Sequence, residues 1–333
     1  LTASALGDAL RAIDATLLFA SPAALVNVVA TAEQPAADFD APAFKTAAAR
    51  VRLVLSAGAP VRTSLLRATA SIFPSASLHT PYGMTELLPV ADVSLDALNR
   101  QPEHAATYPL DESIDDAVDD SGAAAMDGGV CVGHPLPSVD IMIDPLGVDA
   151  RPTGAPSSCP AILGEILVRA PHARDGYDRL WWTEHLASQP AGWHRTGDIG
   201  QLDGDGCLYV SGRLVHVIST ASGPLGPVGC EQQIEGLAEV ALAAVVGVGP
   251  IGTQAVVAVL QLVSAQTPTS AEAPLVLADR VRARVSAALG VDLAAVLLTE
   301  KLPVDRRHNS KIDRSAVAKW AERVLAGDRA AAL

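Results

Sequence analysis

The chain of 333 residues lacks the features that would assign it to several large protein classes. No apolar run reaches the roughly 18 to 20 residues of a membrane span. The best candidate, Ala15 to Ala32, is interrupted by Pro22 and Asn27. Its four cysteines (Cys131, Cys159, Cys207, Cys230) form no C-x-x-C pair, and its eight histidines show no H-x-x-x-H spacing. Zinc ligation is therefore disfavoured, and reduced thiols in the core or at the surface are expected. Lys and Arg are outnumbered, 24 against 37 Asp and Glu, giving a formal charge of -13. That balance disfavours an electrostatic grip on nucleic acid, which needs clustered cations. There is no G-x-S-x-G elbow to anchor a serine hydrolase. The first residue is Leu1, and no basic segment followed by an apolar one marks a secretory signal. These absences leave a soluble, cytoplasmic protein, read as the rear part of a longer polypeptide.

What is present is globular: 49% hydrophobic and 18% charged residues. This is enough for a sizeable core in one large domain or two ordinary ones. Thr16 to Ala30 reads as strand, turn and helix, and Val51 to Ser56 as a strand ended by Ala57-Gly58-Ala59-Pro60. Ser64 to Ile72 reads as a helix, and Ser77 to Thr80 as a second strand. Strand, loop, helix, strand is α/β organisation, in which ligands collect at the carboxyl ends of strands. The pattern fails from about Asp96 to Gly129, where six of the ten residues from Asp111 to Asp120 are acidic. This insertion is either a solvated excursion or a regulatory lid. Val139 to Ile143, Gly164 to Val168 and Cys207 to Ser211 are short and alternating, and predict a small antiparallel β region. Asp203-Gly204-Asp205-Gly206 imitates the start of a calcium loop but lacks its remaining ligands, so a hairpin turn is expected.

After Arg213 the texture changes. Glu231 to Val240 and Leu277 to Leu289 read as helices, Ala243 to Val248 and Ala255 to Val263 as strands, and Ser315 to Leu325 as a final helix. Val281, Val285, Ala288 and Leu289 share one helical face, opposite Arg280, Arg282 and Arg284. A compact α+β domain over 213–333 follows, behind a larger α/β part over 1–212. Gly247-Val248-Gly249-Pro250-Ile251-Gly252 matches the dinucleotide fingerprint, yet a strand follows it instead of a helix, and a turn is expected.

Four polar motifs carry the chemistry. In Tyr82-Gly83-Met84-Thr85-Glu86, the glycine admits a close backbone approach, Tyr82 offers a face for a base, and Thr85 with Glu86 sets a hydroxyl beside a carboxylate. That pair suits phosphate oxygens and Mg²⁺, or else the segment is an ordinary turn with a helix cap. Asp198, in Arg195-Thr196-Gly197-Asp198, is placed to take two ribose hydroxyls or to remain solvated. Arg213, after Gly212, can touch ribose or phosphate or salt-bridge across the domain joint. Lys311, in Asn309-Ser310-Lys311-Ile312-Asp313-Arg314, can neutralise charge on a transferring phosphorus centre, or serves solubility in a basic loop.

In this order the segments resemble the adenylate-forming superfamily of acyl-CoA synthetases, luciferases and nonribosomal adenylation domains. Ser56-Ala57-Gly58-Ala59-Pro60 is similar to its adenine-side loop, making Gly58, Ala59 and Pro60 binding residues. Tyr82 to Glu86 resembles the Y-G-x-T-E motif. Gly164 to Val168 with Gly176-Tyr177 resembles the G-E-[IL] motif, and His194 to Asp198 the [YW]-R-T-G-D motif. Gly212-Arg213 resembles the hinge, and Asn309 to Arg314 the N-G-K-[IV]-x-R motif. Tyr82 to Val90, Gly129 to Pro135 and Val304 to Ile312 further resemble the β-lactone synthetases of bacterial long-chain olefin biosynthesis.

The resemblance implies ATP and Mg²⁺ as cofactors, with Lys311, Thr85 and Glu86 catalytic and Glu86 on the metal. Tyr82, Gly83, Thr85, Asp198 and Arg213 would bind the nucleotide. The implied substrate is a β-hydroxy fatty acid, activated as acyl-AMP and closed to a β-lactone, and olefin-pathway enzymes are the implied partners. Alternatives are a long-chain acyl-CoA synthetase, a fatty-acyl-AMP ligase, or a degenerate scaffold protein. The family's Ser/Thr/Gly-rich phosphate loop is absent, so the chain alone is expected to be inactive. At the hinge, Val215 replaces the usual Asp or Lys.

Overall fold

The computed structural model describes residues 1–35, 39–100, 128–263, 270–304, 312–328 and 333. The acidic stretch 111–120 and Asn309, Ser310 and Lys311 lie outside the described residues. The chain is mixed α/β and separates into two compact units.

The first unit comprises Leu1–Pro81 and the described part of Asp92–Ala125. Strands β1 (Leu17–Ala20), β2 (Leu53–Ser56) and β3 (Ser77–His79) form a parallel sheet in that order. Parallel neighbours need crossovers. The chain supplies α2 (Pro22–Glu33), α3 (Ala41–Ala48) and α4 (Thr63–Ile72), with α1 (Ala3–Ile13) ahead of β1 and α5 (Leu95–Arg100) after β3. Pro22, which breaks the longest apolar run, begins α2: the Ser21 hydroxyl caps it by accepting from the Ala24 amide at 3.3 Å. Asp40 caps α3 in the same way through the Ala43 amide at 3.0 Å. Leu25, Phe44, Val54, Leu66 and Phe73 are buried in this unit. Helix α5 corrects the expectation that regular structure stops at Asp96; it runs to Arg100 and buries Leu95 and Leu98. The loop 57–60 leaves the carboxyl end of β2, and Gly58 there takes a left-handed φ of 99°, which a residue without Cβ adopts freely.

The second unit comprises Tyr82–Ala91 and the described part of Met126–Leu333. Seven strands form its larger sheet: β4 (Tyr82–Met84), β5 (Leu87–Asp92), β6 (Val130–Pro135), β7 (Asp140–Pro145), β8 (Gly164–Arg169), β9 (His194–Leu202) and β10 (Leu208–Arg213). Their spatial order is β4-β5-β6-β10-β9-β8-β7. The sheet is larger than the sequence predicts, because the Tyr82 and Arg195 motifs lie within strands rather than in loops after them. Strand β9 escapes an alternation test, since its first half reads His-Arg-Thr-Gly-Asp. The predicted hairpin turn at 203–206 joins β9 to β10, with Asp203 Oδ1 accepting from the amides of Asp205 (2.9 Å) and Cys207 (2.8 Å). Leu87, Val90, Ile141, Ile143, Ile166, Val168 and Leu208 form the core of this sheet. A short helix, α6 (Trp181–Ala187), precedes β9.

Past β10 come a 3₁₀ turn (Leu214–His216) and a small hairpin of β11 (Ile218–Thr220) and β12 (Gly223–Leu225). Helix α7 (Pro227–Glu235), β13 (Val240–Val248), β14 (Ala255–Leu262), α8 (Leu275–Leu289), β15 (Ala295–Leu298) and α9 (Arg314–Leu325) complete the chain. Strand β14 pairs antiparallel with β13 and parallel with β15. Both faces of this sheet are covered. Ala243, Val245, Val256, Ala258 and Leu260 pack with Ile234, Val281 and Val285, while Ala244, Val246, Val257 and Val259 pack with Val317 and Trp320. Two buried faces explain why these strands read as unbroken apolar runs. Helix α7 starts four residues before the predicted Glu231, because Pro227 fits the first helical turn. It ends at Glu235, and Val240 already belongs to β13. The glycine-rich 247–252 segment is the β13–β14 turn, with Gly249 and Gly252 at φ of 102° and 89°.

Candidate active site

Cross-strand register brings three of the expected binding residues together. In the β9–β10 pair Arg213 stands directly opposite Asp198, the placement in which opposite charges on neighbouring strands meet. Arg213 Nε lies 3.2 Å from Asp198 Oδ1, and the Tyr82 hydroxyl donates to Asp198 Oδ2 at 2.8 Å. The Asp198 amide donates to Thr196 Oγ1 at 3.0 Å, whose hydroxyl donates to the Ile166 carbonyl at 2.8 Å. Gly197, at φ 68°, makes the local bend. Burial, followed by the neighbouring Asp198 charge, raises the Tyr82 hydroxyl well above its ordinary range, so it remains a donor. Tyr82 therefore acts here through its hydroxyl, a role its ring alone did not suggest.

Arg195, in the same motif, points into the sheet. Its Nε donates to Glu165 Oε2 at 2.8 Å and its Nη2 to Asp144 Oδ2 at 2.6 Å. Asp144 and Glu165 are both buried. Glu165 Oε1 also accepts from the Gly197 amide at 3.2 Å. This ion triad, two buried carboxylates on a half-buried guanidinium, ties β7 and β8 to the bend that carries Asp198.

Thr85 and Glu86 form the two-residue tip of the β4–β5 hairpin, since Met84 pairs with Leu87. This is a hairpin turn, not a helix cap. Gly83 is required by the hairpin itself: a Cβ there would meet Leu88 Cδ1 at 2.7 Å and the Leu87 carbonyl oxygen at 2.8 Å. Thr85 is exposed and Glu86 half-buried. The Tyr177 hydroxyl donates to Glu86 Oε1 at 2.6 Å, and the Arg174 amide to the Glu86 carbonyl at 2.8 Å. Burial pushes the Glu86 carboxyl up, but the Tyr177 hydrogen bond and nearby positive charge outweigh it and hold the group below its ordinary value. Arg174 places its guanidinium 3.7 Å over the Tyr177 ring and reaches Glu184 at 2.5 Å. Arg174, Glu184, Trp193 and His194 line a cavity of about 310 Å³. The His194 Nδ1 is buried without a hydrogen-bond partner among the described residues. Burial lowers the His194 pKa, aided by Arg174, which keeps the ring neutral near pH 7.

Among the described residues no cluster of three or more His, Cys, Asp or Glu could hold a metal unaided. Mg²⁺ does not require one, since it binds through one or two carboxylates together with substrate phosphates and water. An ionised Glu86 beside the Thr85 hydroxyl is a donor set of that kind.

Lys311 lies outside the described residues, but its flanks are defined. Val304 bridges to Ile312, and the Asp313 amide donates to the Pro303 carbonyl at 2.9 Å. Arg314 then forms a forked pair with buried Glu231, at 2.8 Å from Nε and 2.5 Å from Nη2. Glu231 Oε1 also accepts from the Val245 amide at 3.0 Å. Through Glu231, the start of α9, three residues after Lys311, is thus tied to α7 and β13. Gly58, Ala59 and Pro60 belong to the first unit, and the residues assembled around Asp198 and Glu86 to the second.

The family model described as AMP-binding enzyme matches residues 1–178. The chain belongs to the AMP-binding enzyme family. It is 34% identical over 96% of its length to an olefin β-lactone synthetase of Stenotrophomonas maltophilia (strain K279a), of which it covers 53%. It is 32% identical over 95% of its length to a Xanthomonas campestris protein of the same name, again covering 53%. Among solved structures it resembles the amide bond synthetase McbA from Marinactinospora thermotolerans. That match has a TM-score of 0.70 and 25% identity, over 96% of this chain and 55% of the other. The chain spans about half the length of the curated relatives it matches.

In this AMP-binding family member the unforeseen contributors are Asp144, Glu165, Arg174, Tyr177 and Glu184. Glu165 and Tyr177 sit in segments whose motif resemblance offered a signal, whereas nothing local marks Asp144, Arg174 or Glu184. The sulfur of Cys131, on β6, approaches that of Cys207, just ahead of β10, to 3.2 Å, and Cys159 is exposed. Among the described residues no helix is long and apolar enough to cross a membrane.

Proposed function

We propose that the polypeptide carrying this chain uses ATP to activate a carboxylic acid as its acyl adenylate, and that the acid is a 2-alkyl-3-hydroxy fatty acid closed to a β-lactone. Asp198 would hold the ribose hydroxyls, oriented by Tyr82 and Arg213, with Gly58, Ala59 and Pro60 on the adenine side. Glu86 with Thr85 would hold Mg²⁺. Bound there, the cation supplies charge neutralisation to the triphosphate. A substrate carboxylate oxygen attacks the α-phosphorus, the bond to the pyrophosphate oxygen breaks, and Lys311 balances the charge gathered on phosphorus. The β-hydroxyl oxygen then attacks the acyl carbon, AMP leaves with the carbonyl–oxygen bond pair, and the hydroxyl proton is lost. Tethering the nucleophile to the acyl group dispenses with a second substrate.

The observation that best supports this reading is the fixed Asp198 carboxylate. Tyr82 and Arg213, distant in sequence, converge on it, and Arg195 with its two buried carboxylates stabilises the bend beneath it. The likeness to two proteins named olefin β-lactone synthetase supports the finer reaction. The same reading divides the polypeptide into a larger part, 1–212, and a small domain, 213–333, with the hinge motif at Gly212-Arg213.

The test is incubation of the intact polypeptide with a 2-alkyl-3-hydroxy fatty acid, ATP and Mg²⁺, with and without coenzyme A. Lactone, AMP and pyrophosphate without coenzyme A are expected. A thioester formed only when coenzyme A is present would replace lactone closure with acyl-CoA ligation, and no adenylate in either case would overturn the whole reading.

A further inference from the structure

Glu86 occupies an unfavourable place for a metal-binding group. It stands at the tip of a two-residue turn, with three rotatable side-chain bonds and no helix to restrain it. Ordering a glutamate side chain costs conformational entropy, and Mg²⁺ demands near-octahedral placement of its ligands. The fold surrounds this residue with a closed circuit of contacts. The Arg174 amide holds the Glu86 carbonyl, and the Arg174 guanidinium covers the Tyr177 ring at 3.7 Å. Glu184 accepts from Arg174 Nη1 at 2.5 Å and, through the same oxygen, from the Tyr177 amide at 2.9 Å. Ser188 donates to the other Glu184 oxygen at 2.5 Å. The circuit closes where the Tyr177 hydroxyl meets Glu86 Oε1 at 2.6 Å.

We propose that Tyr177, braced by Arg174 and Glu184, is a positioning residue that fixes the Glu86 carboxylate in the orientation that meets the cation of a metal–ATP complex. This rests on the reading of Glu86 as the metal ligand. Arg174 secures the backbone of the turn and the ring that holds its carboxylate, so one residue sets both ends of the glutamate. The stacked guanidinium removes the ring's freedom to swing, and Glu184 does the same for the guanidinium. Residues that hold a metal ligand from behind in this way typically govern affinity by 10- to 100-fold.

The experiment compares the intact polypeptide with Glu86→Gln, Tyr177→Phe and the double variant. Tyr177→Phe retains the ring beneath Arg174 and loses only the hydroxyl. Mn²⁺ binding is read by electron paramagnetic resonance with a non-hydrolysable ATP analogue, and the Mg²⁺ dependence of adenylate formation is read separately. Tyr177→Phe should weaken Mn²⁺ binding about 10-fold and raise half-saturating Mg²⁺ equally. Its kcat at saturating Mg²⁺ should stay within about threefold of the parent, and the change should vanish in the Glu86→Gln background. Wild-type Mn²⁺ affinity in Tyr177→Phe, with Glu86→Gln weakened, overturns the positioning role and leaves the metal-ligand reading intact. Undiminished affinity in Glu86→Gln overturns both, and additive losses in the double variant show that Tyr177 does not act through Glu86.

Discussion

The two larger sheets of the second unit use side chains in contrasting ways. In β13–β15 almost every inward residue on either face is aliphatic, and the sheet is held by the packing of α7, α8 and α9. In β7–β10 the buried positions include Asp144 and Glu165, both paired with half-buried Arg195, and alternation gives way to charges that face one another across strands. An apolar sheet is held by packing that any side chain of the right shape can supply, whereas buried charges must each find a specific partner. The comparison teaches that geometry is enforced where the chain takes on this burden, beneath Asp198.

The contrast can be broken most forcefully at Arg195. Arg195→Ala leaves Asp144 and Glu165 buried and unpaired, and should destabilise the protein by about 3 to 5 kcal/mol, measured by denaturant unfolding. A loss below about 1 kcal/mol would mean that the triad does not organise this sheet. Leu260→Ala is the counterpart in the aliphatic sheet. Leu260 is fully buried, and its truncation should cost about 2 to 5 kcal/mol while leaving the intrinsic affinity of the folded protein for ATP unchanged.

The smallest effect sharpens the comparison through pH. Hydrogen bonds from Ser188, the Tyr177 amide and Arg174 hold Glu184 at about 2, against an ordinary 4.5. A carboxyl with a depressed folded pKa contributes stability that is present above its unfolded pKa and lost as pH falls toward the folded one. Stability should therefore decline between about pH 4.5 and 2, and Glu184→Gln should flatten that part of the profile. An unchanged profile in the variant would show that these hydrogen bonds do not persist in solution.

Local signals carried much of the fold. Pro22 marks a helix start, the unbroken aliphatic runs mark β13 and β14, and Asp203-Gly204-Asp205-Gly206 marks a turn, whereas Pro227, which begins α7, was passed over in favour of Glu231. Helices α1 and α3 went unread although α1 is amphipathic, burying Ala3, Leu6 and Leu10 on one face, and β15 because four residues are too few for a pattern. The candidate site divides along the same line. Tyr82, Glu86, Asp198 and Arg213 stood out through motifs, since their chemistry and spacing are local. Tyr177 reaches Glu86 across 91 residues, and Asp144 reaches Arg195 across 51. Pairings of that range depend on sheet order and register, which composition and spacing do not encode.

The most direct test is carboxylate-dependent exchange of labelled pyrophosphate into ATP by the intact polypeptide and its Asp198→Asn variant, with ATP binding measured in parallel. The account predicts exchange in the parent, with exchange and ATP affinity each reduced at least about 10-fold in a variant that still folds, the loss of charge-assisted hydrogen bonds being worth about 1.5 to 3 kcal/mol. Equal exchange and equal ATP affinity in the two proteins would contradict the assignment of Asp198 to the nucleotide.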